Sequence, residues 1–222
     1  MPKRSEDYFE QKRHKILDAA YKVCMKKPMH EVSMRDIITE SGLSQGGIYR
    51  YFSNLDDILI ELINWKSVNC DVKTLVDTAI LSEEIPEKII GKLFTVWENA
   101  ILDNLVGVGK IFYETCQLYV NHQDRFIRFV SENRISSEEA YLKEKFICFI
   151  TQKISEGYFK PKLPMQDILS FLITSFDGIV RDLILIRHYP ISNSPLFEKN
   201  KLVISLCSAL VLLLGGDEKL IY

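Results

Sequence analysis

The residues with the clearest potential for chemistry lie between Ser33 and Phe52, in the segment SMRDIITESGLSQGGIYRYF. Its polar members include a glutamine, an arginine near its end, two tyrosines and several serines. A glutamine amide can form two hydrogen bonds with an adenine edge, and an arginine guanidinium can do the same with guanine. Tyrosine and serine hydroxyls can bind phosphate oxygens. Displayed on one surface, these side chains would suit the recognition of double-stranded DNA.

Two short helices joined by a tight turn would provide that surface. Ser33 is predicted to cap the first helix, with Asp36 completing a capping box, and Ser44 is predicted to cap the second. Gly42 permits the left-handed backbone conformation that ends a helix. Apolar residues at helical spacing predict the buried edges of the two helices: Ile37 and Ile38 in the first, Ile48 and Phe52 in the second.

This arrangement predicts a helix-turn-helix whose second helix enters the major groove. The candidate DNA-binding residues are Ser33, Ser44, Gln45, Gly46, Gly47, Tyr49, Arg50 and Tyr51. Gln45 and Arg50 are expected to contact bases, and the serines and tyrosines are expected to contact phosphates. The two glycines each cost a helix about 1 kcal/mol relative to alanine, and close approach to another surface is one reason to keep them. The alternative is an ordinary pair of antiparallel helices.

The stretch from Ser33 to Leu59 resembles the DNA-binding domain of TetR-family transcriptional regulators. The matching residues are Ser33, Ile37, Gly42, Leu43, Ser44, Gly47, Ile48, Tyr49, Tyr51, Phe52, Asp56 and Leu59. At the start of the next helix the family usually has a lysine that contacts phosphate, whereas this chain has Leu55. The resemblance implies a dimeric, ligand-responsive repressor that binds a palindromic DNA operator and is released by a small-molecule effector.

Length and composition indicate a folded protein. The chain has 222 residues, of which 47% are hydrophobic and 26% charged, and a net charge of −2, which is typical of a globular protein. Residues 1–54 contain ten Lys/Arg and seven Asp/Glu, a net charge of +3, and the remainder contains 18 and 23, a net charge of −5. A mildly basic N-terminal part suits a small DNA-binding domain.

The fold class is predicted to be all-α, because apolar residues recur at intervals of three, four and seven and no stretch alternates as a strand does. Nine helices are expected in a two-domain, TetR-like fold: 8–27, the two helices of 33–52, one continuing from about 55 toward 77, then 86–103, 105–120, 123–157 with an interruption near 135–137, 165–188 and 195–214. Residues 1–65 would form the helix-turn-helix domain, and residues 66–222 the effector-binding and dimerisation bundle.

The last two helices are the most apolar, so they need partners on most sides. A monomeric bundle would provide them, but a four-helix interface in a homodimer is favoured, because two DNA-binding heads about 34 Å apart can contact a palindrome. In such an interface, a charge at Leu206 or Leu210 is expected to dissociate the dimer.

The body also contains more aromatic residues than a small core needs. They predict a pocket for a small apolar or aromatic effector, with the candidate residues Trp97, Phe112, Tyr113, Cys116, Tyr119, Phe146, Phe149, Phe176 and Asp177. Two alternatives stay open: the aromatic residues could simply form the core, and Asp177 could pair with Arg181, four residues on, rather than anchor a ligand.

The motifs of common enzyme classes are missing from the sequence. Residues 107–110 read GVGK but lack the spacing and the preceding strand of a phosphate-binding loop, and the four histidines show no metal-ligand spacing. No catalytic residue, metal or cofactor is expected. A DNA-binding activator, or an all-helical ligand-binding protein or enzyme without DNA activity, is the alternative.

A cytoplasmic location without a membrane segment is expected. The N-terminal residues lack the apolar core of a signal peptide. The longest almost unbroken apolar run, 202–214, has 13 residues, too few to span a bilayer. The five cysteines are widely spaced and suit reduced thiols.

Overall fold

The computed structural model describes residues 6–67, 71–188 and 198–221. Within these ranges the chain is helical and forms no strand, so the predicted all-α class is confirmed. The predicted count of nine helices is wrong, because the described residues form eleven α-helices. These are α1 Glu6–Lys26, α2 Met34–Ser41, α3 Gln45–Tyr49, α4 Leu55–Lys66, α5 Val72–Ile80, α6 Pro86–Val96, α7 Asp103–Tyr119, α8 Gln123–Ser131, α9 Arg134–Ser155, α10 Met165–His188 and α11 Lys199–Leu213.

Two compact units make up the chain. The first contains residues 1–67 and 108–134, and the second contains residues 68–107 and 135–222. The first unit therefore includes the predicted head and also most of α7 and all of α8. A π-helical turn, Trp97–Leu102, joins α6 to α7, and short 3-10 turns occupy Met29–Glu31 and Glu218–Leu220.

The predicted long helix from residue 55 toward 77 is wrong. Its first part, α4, ends at Lys66, and Ser67 has an extended backbone with ψ 133°. The Ser67 hydroxyl donates to the carbonyl of Ile63 at 2.7 Å. Asp71 then accepts the N–H of Thr74 at 3.1 Å and so caps α5. Serine and aspartate compete with the helical backbone for its own hydrogen bonds, which favours helix ends at these positions.

Other predicted boundaries also shift by a few residues. The interruption of the helix predicted over 123–157 falls at Glu132 and Asn133, before the predicted place, and the N–H of Glu132 closes α8 on the carbonyl of Arg128. Residues 195–197 of the last predicted helix lie outside the described residues, and α11 begins at Lys199. Gly157 and Gly215 end their helices with φ of 77° and 81°, as their sequence positions predict.

The core of the first unit lies between α1, α2, α3 and α4. Its fully buried side chains include Ile16, Leu17, Ile37, Ile48 and Leu59, all at 0–1% exposure. Each such side chain contributes about 1.5–3 kcal/mol through burial. These residues hold the helix-turn-helix on the long helix α1.

Among the described residues, no helix has both the length and the apolar character that a bilayer crossing requires.

Replacing Gly42 by alanine is expected to lower the free energy of unfolding by about 1–2 kcal/mol. Gly42 has φ 64° and ψ 20°, a left-handed conformation that a Cβ atom disfavours. A Cβ atom at this position would meet nothing within 4 Å, so the cost is conformational and not steric. Urea unfolding of the Gly42→Ala variant measures it, and an unchanged midpoint would contradict the role of Gly42 in ending α2.

Candidate functional site

The first helix of the motif, α2, begins with the predicted capping box. The N–H of Ser33 donates to Asp36 Oδ2 at 3.0 Å, its hydroxyl donates to the same atom at 2.6 Å, and the N–H of Asp36 donates to Ser33 Oγ at 3.4 Å. Hydrogen bonds from Lys27, at 2.6 Å, and from Ser33 lower the pKa of Asp36 to about 2. Because Asp36 accepts the hydroxyl proton of Ser33, that hydroxyl must turn away before it can donate to a phosphate.

The second helix, α3, displays most of the predicted DNA-binding residues. Ser44 caps it by accepting the N–H of Gly47 at 3.2 Å, which leaves the hydroxyl proton of Ser44 free to be donated outward. Ile48 and Phe52 are 0% and 3% exposed and attach α3 to the core. Exposed side chains lie on the other side of the helix: Gln45, Gly46, Tyr49 and Arg50. Gly47 and Tyr51 are half-buried.

Basic residues of α1 and α2 differ in whether they already form ion pairs. The guanidinium of Arg13 forms two hydrogen bonds with the carboxylate of Glu61, so it holds α1 to α4. Lys15 and Arg35 are exposed and make no ion pair within the described part of the chain. Arg35, two residues after the Ser33 cap, is a candidate phosphate-binding residue that the sequence reasoning missed. Its position in the first turn of α2 was the available signal.

Leu55 stands where TetR-family regulators usually have a phosphate-binding lysine. It is the first residue of α4 and is half-buried. Asn54 caps the helix by accepting the N–H of Asp57 at 2.9 Å, and Asp57 accepts the N–H of Ser53 at 3.1 Å. The start of α4 therefore carries acidic side chains and no ammonium group in its first turn.

Lys110 of α7 holds the junction that precedes the helix-turn-helix. Its Nζ atom donates to the carbonyls of Cys24 and Lys27 at 2.7 and 2.9 Å, and the residue is only 8% exposed. Glu114, one turn later, lies 3.7 Å from the same Nζ and accepts the N–H of Met29 at 2.8 Å. The ammonium group thus binds carbonyls at the C-terminal end of α1, where the helix dipole favours a cation.

Asp56, in the first turn of α4, connects the chain that follows the helix-turn-helix to α7 and α8. Arg125 of α8 donates to both oxygens of Asp56 at 2.7 and 2.9 Å, and the Tyr119 hydroxyl also donates to it. Burial raises the pKa of Asp56, but the hydrogen bonds from Arg125 and Tyr119 outweigh burial and lower it. Arg128 forms a similar ion pair with Asp57 at 2.6 Å. Residues 108–134 therefore contact the chain on both sides of the helix-turn-helix.

The predicted effector residues divide between the two units. In the second unit, Trp97, Phe146 and Phe176 line one cavity, whose other walls are mostly aliphatic. The Trp97 and Phe176 rings lie 4.3 Å apart. Lys143 also borders this cavity and pairs with Glu139 at 2.7 Å. The cavity volume is about 40 Å³, far below the several hundred Å³ of a pocket that holds a drug-sized ligand.

Four of the predicted effector residues belong to the first unit: Phe112, Tyr113, Cys116 and Tyr119. The Phe112 and Tyr119 rings pack on the fully buried Phe129, at 5.6 and 5.8 Å. Tyr113 borders a cleft beside Met29, and burial raises the pKa of the Cys116 thiol to about 11. Of these four residues, Phe112 and Tyr119 therefore pack on α8.

Phe149 and Asp177 lie in the second unit but do not line the cavity that contains Trp97. Phe149 is 5% exposed, and Asp177 is exposed. The predicted pair between Asp177 and Arg181 is wrong, because Arg181 donates to Asp182 at 3.0 Å instead. Asp177 on the surface of α10 is free to meet solvent.

Comparisons with known proteins agree with this geometry. The family model described as bacterial regulatory proteins, tetR family, matches residues 16–62, which span α1 to α4. The chain is 23% identical over 227 aligned positions to YfiR, an uncharacterized HTH-type transcriptional regulator of Bacillus subtilis; the match covers 98% of this chain and 99% of YfiR.

Two solved structures share the fold along nearly the whole chain. One is a TetR transcription regulator of Haloarcula marismortui, with a TM-score of 0.55 at 14% identity, covering 93% of this chain and 97% of that one. The other is the regulator FadR of Bacillus subtilis in complex with stearoyl-CoA, with a TM-score of 0.53 at 19% identity, covering 91% and 98%. Residues 16–62 therefore match the DNA-binding region of tetR-family regulatory proteins, the whole chain is similar to the HTH-type regulator YfiR, and its fold is that of a TetR transcription regulator.

Proposed function

We propose that the protein is a ligand-responsive repressor that binds a palindromic DNA operator as a homodimer and is released by a small apolar effector. The observation that carries the proposal is the outer face of α3. Gln45, Tyr49 and Arg50 are exposed together there, while Ile48 and Phe52 fix the helix from the other side. Gln45 and Arg50 supply donors and acceptors for base edges, and Tyr49, Tyr51 and Ser44 supply hydroxyls for phosphates.

The proposal is tested by selecting duplexes from a randomised DNA library with the purified full-length protein. We expect enrichment of a palindrome whose half-sites lie about 34–36 Å apart, or a multiple of that distance. Binding to this selected duplex should weaken steeply with salt, because phosphate contacts release counterions. Failure to enrich any sequence would overturn the proposal. A reporter gene with the selected duplex inside its promoter then distinguishes repression from activation.

Replacing Gly46 by alanine is expected to raise the stability of the protein and to lower its affinity for DNA. A Cβ atom at this position would meet nothing within 4 Å of the protein, so nothing inside the chain requires glycine. Gly46→Ala should therefore stabilise the protein by up to about 1 kcal/mol. It should also lower affinity for the selected duplex by about tenfold, a loss of 1.4 kcal/mol, since the methyl group would meet the DNA. Unfolding and binding titrations measure both, and unimpaired binding would remove Gly46 from the interface.

The proposed homodimer would use exposed apolar side chains of α10 and α11. Phe171, Ile204 and Leu212 are 45%, 45% and 40% exposed, and an open apolar groove includes Phe171 and Leu212. Large exposed apolar side chains that lie close together often mark an interface. This corrects the expectation for Leu206 and Leu210, which are 6% and 0% exposed. A charge at either of these two residues would destabilise the core of the second unit itself.

Ile204→Glu is expected to convert the dimer to a monomer, because two buried carboxylates would face each other across a symmetric interface. The thermal unfolding of the isolated subunit should change little, since Ile204 is exposed. Sedimentation velocity measures the change. Lys201→Glu, one turn earlier on α11 and also exposed, is the matched control for a general charge effect. A variant that sediments as the wild type does would place the interface elsewhere.

The proposed effector site is the cavity of Trp97, Phe146 and Phe176, which must expand to hold a ligand. Its walls bind apolar groups, and Lys143 at its border could meet an anionic one. The stearoyl-CoA bound by FadR makes long-chain acyl compounds a reasonable first probe. A ligand at 100 times its Kd stabilises its protein by about 2.7 kcal/mol, so thermal shift detects it. Stabilisation without loss of DNA affinity would contradict the effector role.

A further inference from the structure

We propose that Phe9 of α1 is a positioning residue for base recognition, because its ring forms a platform for the guanidinium of Arg50. The inference rests on the proposed function, in which Arg50 contacts a base. It extends that function to the start of α1, outside the helix-turn-helix and outside the residues 16–62 that the family model matches.

The Phe9 ring contacts two consecutive residues that follow α3. The guanidinium carbon of Arg50 lies over the ring, 5.1 Å from its centroid, within the roughly 6 Å at which a ring face attracts a cation. The Tyr51 ring lies 6.3 Å from the Phe9 ring. Tyr8 packs edge-to-face against Phe9 at 6.0 Å and 85°, which restricts the platform itself. One ring from α1 therefore supports both Arg50 and Tyr51.

The burial of Phe9 differs from that of the core residues on the same helix. Ile16 and Leu17 are 0% and 1% exposed, whereas Phe9 is half-buried. If Phe9 only contributed to the core, complete burial like that of Ile16 and Leu17 would stabilise the protein more. The half-exposed ring instead leaves its face available to a neighbouring cation.

The charges around Arg50 point the same way. Arg13, on the same helix as Phe9, gives its guanidinium to the carboxylate of Glu61, while Arg50 has no carboxylate partner within the described residues. A carboxylate would compete with a guanine for the in-plane N–H donors of the guanidinium. The Phe9 ring has no carboxylate oxygen to accept these hydrogen bonds, so its contact with Arg50 leaves the N–H donors available for O6 and N7 of guanine.

A platform of this kind improves recognition by ordering Arg50 before the DNA arrives. A free arginine side chain loses rotamer freedom when it binds, and a side chain held in advance loses less. The gain applies only where Arg50 meets the correct base, so it raises preference for one sequence more than affinity for DNA in general. Phe9 would therefore influence specificity without touching a base.

Phe9→Leu tests the proposal, because leucine keeps apolar packing and removes the ring. Each variant is titrated with the selected duplex and with a mixed-sequence duplex of equal length at the same salt concentration. We expect Phe9→Leu to lower the ratio of the two affinities about two- to five-fold for each half-site, the range of an exposed cation–π contact. Phe9→Tyr should retain the ratio, and Phe9→Leu should have no further effect in an Arg50→Ala background. Gln11→Ala, an exposed position on the same helix, is the control.

A spectroscopic measurement separates positioning from general stability. In the free protein, the chemical shift of the Arg50 side-chain N–H should change in Phe9→Leu, because the ring current is removed. It should stay close to the wild-type value in Phe9→Tyr, which keeps a ring. Equal loss of affinity on both duplexes, with an unchanged Arg50 resonance, would assign Phe9 to the core and overturn the proposal. If the wild-type protein selects no sequence, the proposed function itself has failed, which is a separate and earlier result.

Discussion

Replacing Arg50 or Gln45 by alanine is expected to weaken binding to the selected duplex by about 1–3 kcal/mol per half-site and to relax sequence preference at one base pair in each half-site. Both side chains are exposed on the free face of α3. Truncation would leave the polar groups of a base edge desolvated in the interface without a hydrogen-bond partner, which costs free energy. Because each subunit of a dimer carries the change, the measured loss per duplex should approach twice the loss per half-site. Titrations with the selected duplex and its single-base variants measure both effects.

Arg35→Ala provides the matched control for base recognition. Arg35 is exposed on α2 with no ion pair within the described residues, so phosphate binding is its expected role. The variant should weaken binding to all sequences alike and lower the slope of log affinity against log salt by about 1 for each phosphate that it no longer neutralises. If Arg50→Ala shows this uniform pattern as well, Arg50 binds phosphate, and base recognition must come from other residues.

Lys110→Met is expected to lower the free energy of unfolding by about 3 kcal/mol. Methionine retains the apolar stem but removes the ammonium group that binds the carbonyls of Cys24 and Lys27. Hydrogen bonds to charged groups contribute about 1.5–3 kcal/mol each, and acceptors left buried without a donor are costly. The ammonium charge that lies 3.7 Å from the Glu114 carboxylate would also be removed. Urea unfolding measures the change.

Lys201→Met is the control for removing a lysine that forms an ion pair. Lys201 pairs with Glu198 at 2.8 Å, but its side chain is 72% exposed, and such surface pairs contribute about 0–1 kcal/mol. A similar small effect in Lys110→Met would show that the carbonyls of α1 find water once the ammonium group is gone. We expect Lys110→Met to weaken DNA binding too, since the junction it holds leads directly into α2.

Local sequence signals were sufficient for the helix-turn-helix. Ser33, Gly42 and Ser44 act within four residues of themselves, through caps and a left-handed turn, so their roles follow from residue type and spacing. Ile48 and Phe52 follow from the helical period in the same way. The exposed face of α3 could therefore be predicted residue by residue, except that Gly47 is more buried than expected. The helix stops at Gly157 and Gly215 have the same local origin.

Contacts between distant parts of the chain decided the rest. The sequence carries no sign that Lys110 binds carbonyls 83 and 86 residues away, or that Arg125 meets Asp56, because residue spacing contains no information about such contacts. For the same reason the sequence could not show that the Phe112 and Tyr119 rings of α7 pack on Phe129 of α8. Apolar residues occupy nearly every position of α11 from Leu202 onward, so the helical period cannot distinguish its inner side from its outer side. Only the tertiary packing shows that Leu206 and Leu210 face the core and Ile204 faces outward.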